Sequence, residues 1–314
     1  MPIVYLDQNK WIQLAKAALG RESSRALRDA LQIVRATSSL RIAEFQLSLA
    51  HHMETRKHRG PRRRLELAKF MFDISAGSTL VGLESIVTFE VSSALATAFP
   101  GRIDVAGLSL LGRGVSHAIA KPPATSWVLN DAEEFACLSG IDVLTGLPMP
   151  ALDLSNPDKE FVERLRRLQQ STAPKSDVER AIHAGELGDV WPTIEDVLAR
   201  NRVSLHEFAT LGESRWCSLM DEMPLSRVNM HLVRQWAKNP SLPSTESTLN
   251  DWGYLGAAVQ YADIVVTEKL FADIVHREGF RPRARIITDL EELPAVLLDS
   301  LGYAGLNEWP QLEA

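Results

Sequence analysis

The chain has 314 residues, with 34 Lys and Arg against 40 Asp and Glu, for a formal charge of −6. That length is long for one domain and short for three, and a content of 45% hydrophobic and 24% charged residues excludes a disordered or fibrous chain. No run approaches the roughly 18 apolar residues of a membrane span, and the acidic balance argues against a general coat on polyanions while leaving room for a local nucleic-acid site.

In chain order, Ile3-Val4-Tyr5-Leu6 is a β-prone run that ends at Asp7, the way α/β folds deliver a side chain to the carboxyl edge of a sheet. Helical spacing follows over residues 10–19 (Trp11, Leu14, Ala18) and 22–35 (Leu27, Ala30, Leu31, Val34). Residues 39–43 predict a short strand, and residues 46–56 and 63–74 predict helices. From about 83 to 240 the pattern is helical, over 161–168, 178–182, 194–198, 205–220 and 228–236, punctuated by prolines at 122–123, 148–150 and 240–243. The β-branched run 264–267 predicts a buried strand. A helix over 268–277, a strand over 284–288 and a helix over 289–301 follow. Strand and helix alternate at both ends, which predicts a parallel sheet. The expected fold is α/β and Rossmann-like: residues 1–82 and 247–314 form a parallel sheet flanked by helices, and 83–246 are a mostly α-helical insertion.

The first ten residues carry no basic segment ahead of an apolar core, so they do not read as a secretory leader. Cys137 and Cys217 are too few for a disulfide framework or a four-ligand zinc site, and they suit a reducing cytoplasm. No HExxH, GxSxG, Walker A or GxGxxG motif is present.

Carboxylates stand where strands end and helices begin: Asp7, Glu54, Asp251, and the pair Asp263 and Glu268 around the 264–267 strand. Each has a structural alternative. Asp251 with Asn250 can cap a helix, Glu268 can favour a helix dipole, Asp263 can cap a turn, and Glu54 can pair with a cation on its helix. Asp7 can cap the helix that begins near Asn9. Taken together, the acids suit a hard divalent cation. Two carboxylates about 4 Å apart repel by about 4 kcal/mol at an effective dielectric near 20, and magnesium, which takes one or two carboxylates and keeps its waters, relieves that repulsion.

The order of these acids resembles the PIN-domain nuclease family. The resemblance rests on Val4-Tyr5-Leu6-Asp7-Gln8-Asn9, on the acid Glu54 late in the second segment, on Asn250-Asp251, on Tyr261-Ala262-Asp263-Ile264-Val265-Val266-Thr267-Glu268-Lys269, and on the terminal Arg285-Ile286-Ile287-Thr288-Asp289. It covers roughly residues 1–80 and 247–300. It implies a PIN-like metal-dependent nuclease that acts on RNA. Asp7, Glu54, Asp251 and Asp263 would be its acids, holding Mg2+ or Mn2+, with Glu268 in reserve for the fourth position and Glu44 as an alternative to Glu54. Asn9 would bind metal water or substrate, or cap the helix of Trp11. The resemblance extends to toxin-type nucleases, with a second copy of the chain or a protein inhibitor as the partners it implies.

The most basic stretch of the chain follows Glu54: Arg56, Lys57, His58, Arg59, Arg62, Arg63 and Arg64. A solvated surface is the ordinary reading of such a run; the functional one is a phosphate-binding lip, with Arg56, Arg62 and Arg63 on the nucleic-acid backbone. His51, Trp11, Trp252 and Tyr254 read as packing residues. Two rivals stand beside the nuclease: a PIN-like module that binds nucleic acid or protein without cutting, and a Rossmann-like metal hydrolase of small phosphates.

Overall fold

β1 (Ile3–Leu6) leads into α1 (Gln8–Ala18) and α2 (Arg25–Ser39), followed by β2 (Glu44–Gln46), α3 (Leu49–Lys57), α4 (Pro61–Ser75) and β3 (Ser78–Leu80). The middle region runs through α5 (Leu83–Ala98), β4 (Leu111–Arg113), α6 (Gly114–Ala118), α7 (Asp131–Ser139), α8 (Lys159–Gln169), α9 (Lys175–Arg200), α10 (Leu205–Ala209), α11 (Gly212–Glu222) and α12 (Pro224–Lys238). Then come α13 (Glu246–Tyr261), β5 (Ile264–Val266), α14 (Lys269–His276), β6 (Arg285–Ile287) and α15 (Leu293–Ser300). This computed structural model describes residues 1–22, 24–119, 129–149, 159–242 and 246–302, without the side chains of 159 and 246–251.

The fold is α/β. Four strands pair in the order β2-β1-β5-β6, all parallel. β1 is central: Val4 lies opposite Phe45 on one side and Ile264 on the other. β3 continues the sheet beyond β2 through the Leu47–Thr79 bridge and pairs antiparallel with β4.

Successive strand residues point to opposite faces, and this alternation divides the core in two. Val4, Leu6, Phe45, Ile264, Val266 and Ile287 pack with α1, α2, α4 and α15. Tyr5 and Val265, with the half-buried Ile286, face the other way and join a core supplied largely by α5, α9, α11, α12 and α13. Helices of the middle region and α13 thus cover the second face of the sheet. Among the described residues, no helix is long and apolar enough to cross a membrane.

Several elements depart from expectation. The strand expected at 39–43 forms at Glu44–Gln46. α2 runs on to Ser39, and Arg41 then takes a left-handed φ of 52° that turns the chain before pairing can start. The two short helices expected at 178–182 and 194–198 are one helix, α9, which passes through Pro192. The helix expected at 205–220 breaks at Gly212, whose φ of 77° ends α10 and restarts the chain as α11.

Two of the buried carboxylates, Glu90 and Glu186, meet the first turn of α12. Glu90 on α5 accepts the Leu225 amide at 2.9 and 3.0 Å and the Tyr261 hydroxyl at 2.6 Å. Glu186 on α9 lies beside Ser226 and Asn229. Burial pushes both carboxyls up to about 7, against the hydrogen bonds that favour their ionised forms.

Candidate active site at the carboxyl edge of the sheet

Asp7 stands where β1 ends. Its backbone is extended (φ −59°, ψ 152°), and its amide donates to the Val266 carbonyl at 2.9 Å, so it is level with the end of β5. It occupies the N-cap of α1, and its carbonyl accepts the Lys10 and Trp11 amides, but its side chain makes no capping bond. A capping carboxylate is ordinarily worth about 1 kcal/mol. Here the side chain instead accepts the Thr267 hydroxyl at 3.2 Å. Thr267 is fully buried and follows β5 as Asp7 follows β1. The carboxylate remains near the positive end of α1.

Glu54 reaches the same place from α3. Ser48 and His51 start that helix as a capping box. His51 is 1% exposed: its Nδ1 accepts the Ser48 amide at 2.9 Å, which leaves Nε2–H to donate to the Leu6 carbonyl at 2.8 Å. Burial lowers its pKa to about 4, with the Leu6 bond opposing. The ring is therefore a neutral strut holding the Leu6–Asp7 peptide against α3. Glu54, three residues on, is on the same helical face. Asp7, Gln8, His51 and Glu54 line one recess of about 10 Å³, closed by Leu255 of α13, which is about the room of a single water. Gln8 is itself buried and donates to Thr55 Oγ1 at 3.1 Å, a second tie between α1 and α3.

Glu268 lies just beyond Thr267, at the N-cap of α14, and its Oε1 accepts the Asn9 side-chain amide at 2.5 Å. Asn9 is in the first turn of α1 rather than capping it. Asp251 is the sixth residue of α13, so it does not open that helix as expected. It precedes Leu255 by one turn, and its side chain lies outside the described residues.

Asp263 is not at this edge. It precedes β5, level with Ile3, at the amino end of the parallel sheet. Four residues of strand, about 13 Å, separate that level from Asp7. Its carboxylate accepts the Ile3 amide at 2.8 Å and lies 3.4 Å from Arg283. The reserve acid, Glu268, is the one at the carboxyl edge. Glu44, weighed as a substitute for Glu54, opens β2 at the amino edge and accepts the Ser78 hydroxyl.

The basic stretch divides. Lys57, Arg59 and Arg63 line a trough of about 450 Å³ that shares Gln8 and Glu54 with the recess. Arg56 points elsewhere: half-buried, it packs beside Cys137 and Gly140 after α7, where burial lowers its pKa. Arg62 is paired with Glu66 at 3.0 Å. Trp11 and Trp252 are core, Trp252 lying edge-on to Trp236 at 4.3 Å. Lys57 and Arg59 stand in the sequence only as members of the basic stretch, and Gln8 and Thr267 only as neighbours of Asp7 and Glu268.

Among the described residues, no group of three or more His, Cys, Asp or Glu side chains converges closely enough to hold a metal ion. Asp7 and Glu54 line the same recess, and one or two carboxylates are what magnesium asks of a protein when waters and phosphate oxygens complete its shell. His51→Ala is expected to orphan the Leu6 carbonyl and the Ser48 amide and to destabilise the fold by about 1–3 kcal/mol, read as a lowered midpoint of thermal unfolding; an unchanged midpoint would remove the strut from this account. No family model, curated protein or solved structure matches this chain.

Proposed function

We propose that the chain is a PIN-like, metal-dependent ribonuclease that hydrolyses phosphodiester bonds at the carboxyl edge of its sheet. The observation that carries this reading is the meeting of Asp7 and Glu54 at one recess that opens into a cation-lined trough. Acids alone would repel a phosphodiester and cations alone would only bind it.

Asp7 and Glu54 would hold Mg2+ or Mn2+, with Glu268 beside them on the Asn9 amide. When bound, such an ion supplies an acidified water and neutralises charge developing on the phosphate. The protein's part is orientation. The Thr267 hydroxyl fixes one Asp7 oxygen, His51 fixes the peptide that carries Asp7, and Lys57, Arg59 and Arg63 hold the phosphate backbone. No side-chain nucleophile is needed. Cys137 and Cys217, both unpaired, suit a reducing cytoplasm.

The test is cleavage of single-stranded RNA and DNA panels with Mg2+, Mn2+ or chelator. Chelator-sensitive cleavage that favours RNA supports the reading; no cleavage of any substrate with either metal ends it. The second reading, a non-cutting nucleic-acid-binding module, is favoured by the two-carboxylate count among the described residues. It is separated by whether Mn2+ adds cleavage to binding.

A further inference from the structure

The trough beside the acids does not end at Arg63. It shares Ile12, His58 and Arg63 with a further hollow of about 760 Å³ between α1, α4 and the segment leading into α2. α1 is the wall throughout. Gln8 is at the recess, Ile12 at the junction, and Ala15 and Leu19 at the far end. That spacing keeps one helical face toward the groove, over about 16 Å, room for a short stretch of unstacked strand. The floor is apolar, from Ile12, Ala15, Leu67 and Leu19, and Leu19 leaves 45% of its surface exposed.

The rim is cationic. Lys16, Arg21, Arg62 and Arg63 border the far hollow against two acids, Glu22 and Glu66. Glu66 is already engaged: Arg21 grips it with two N–H groups at 2.8 and 3.1 Å, and Arg62 adds a third bond at 3.0 Å. This bridge sets two guanidiniums side by side, and a guanidinium has five donors, so both keep N–H groups beyond those given to Glu66. With Lys57 and Arg59 nearer the acids, the groove carries net positive charge in a chain of net −6.

We infer that the α1–α4 groove binds a single-stranded polynucleotide arm extending from the reacting phosphate, with phosphates on the Lys16, Arg21 and Arg63 rim and an unpaired base against Leu19. Apolar floor with cationic rim is the arrangement that holds unstacked bases and their backbone together; a duplex turns its bases inward and offers the floor nothing. This inference rests on the nucleic-acid reading above and extends it to residues on a different segment from the basic stretch.

The test is fluorescence anisotropy of the intact chain with a labelled 12-nucleotide single-stranded RNA in chelator, so that nothing is cut. Lys16→Glu combined with Arg21→Gln is expected to weaken binding about tenfold and to lower the salt slope by about 1.4, two single-strand contacts. Glu66→Gln, which releases both arginines, is expected to tighten binding about threefold, an effect that misfolding cannot mimic. Arg200→Glu, a charge reversal on α9, serves as control and should change nothing. Affinity within twofold of the parent for the Lys16/Arg21 variant overturns the groove, as does failure of the parent to bind, or equal binding of a 12-base-pair duplex or an acidic peptide. Strand binding with the expected variant effects but no cleavage in Mn2+ supports the groove and removes the nuclease. Cleavage with binding indifferent to Lys16 and Arg21 does the reverse.

Discussion

Asp7→Asn is expected to lower Mn2+-dependent RNA cleavage by about 10³-fold or more, about 4 kcal/mol of transition-state stabilisation, while leaving strand binding in chelator within about twofold. The asparagine is isosteric, and its amide oxygen can still accept the Thr267 hydroxyl that Asp7 accepts at 3.2 Å, so the fold should survive. What is lost is the negative charge that an ion needs. Thr267→Val should give a smaller loss, about 10- to 100-fold, the usual cost of removing the partner that orients a metal-binding carboxylate. Single-turnover kinetics of the two variants decide the matter. If Asp7→Asn cleaves as the parent does, the edge is not catalytic; if it also loses strand binding, the carboxylate was supporting the fold.

The second large effect concerns stability and pH. The Glu186 carboxyl is pushed up to about 7 in the fold by burial, with Asp189 nearby adding repulsion and the Ser226 bond opposing. An acid whose folded pKa lies above its unfolded value stabilises the protein fully below the unfolded value, near 4.3, and loses that contribution as pH rises through 7. Glu186→Gln should therefore match the parent near pH 4.5 and exceed it above pH 7.5 by up to about 3 kcal/mol, since Ser226 and Asn229 can each turn to suit an amide. Chemical denaturation at both pH values reads this difference directly, and an equal midpoint shift at both would refute it. Glu90→Gln should differ, because the Leu225 amide lies within 3.0 Å of both Glu90 oxygens and would face an N–H donor; that variant is expected to be destabilised. The parent's own profile is a sum. His51, held neutral with a pKa near 4 by burial, contributes stability above pH 6.5 that is lost as pH falls through 4. The Gln variant isolates the Glu186 part.

Much of the edge was legible because local rules force it. An apolar run closed by an acid puts that acid at the carboxyl end of a strand, hence Asp7. A helix face shared with His51 brings Glu54 inward. The misplacement of Asp263 follows from the same geometry read too loosely: in a parallel sheet every residue that precedes a strand lies at the amino edge, so Asp263 and Asp7 cannot meet, whereas Thr267 and Glu268 must lie near Asp7. Arg56 illustrates the helical version. Two residues after Glu54 it falls on another side of α3, while Lys57, three residues after, shares Glu54's face. The strands' unbroken apolar character called for cover on both faces, but which helices would supply it depended on packing between segments far apart in the chain. The same distance hid Lys16 and Arg21, which acquire a role only when α1 and α4 come together.

The order in which the sheet's strands leave the ribosome has its own consequence. β1 is made first yet sits in the centre of the sheet, and its partner β5 lies about 260 residues later, as does the Asp7–Thr267 bond. At about 5–20 residues per second, roughly 13–50 s pass between synthesis of the two halves of the edge. Asp7 spends that time with one neighbouring strand at most, without Thr267, Glu268 or the Leu255 wall. A nascent chain that has not reached Thr267 therefore has no assembled edge, and any activity carried by the edge is withheld until β5 has been made.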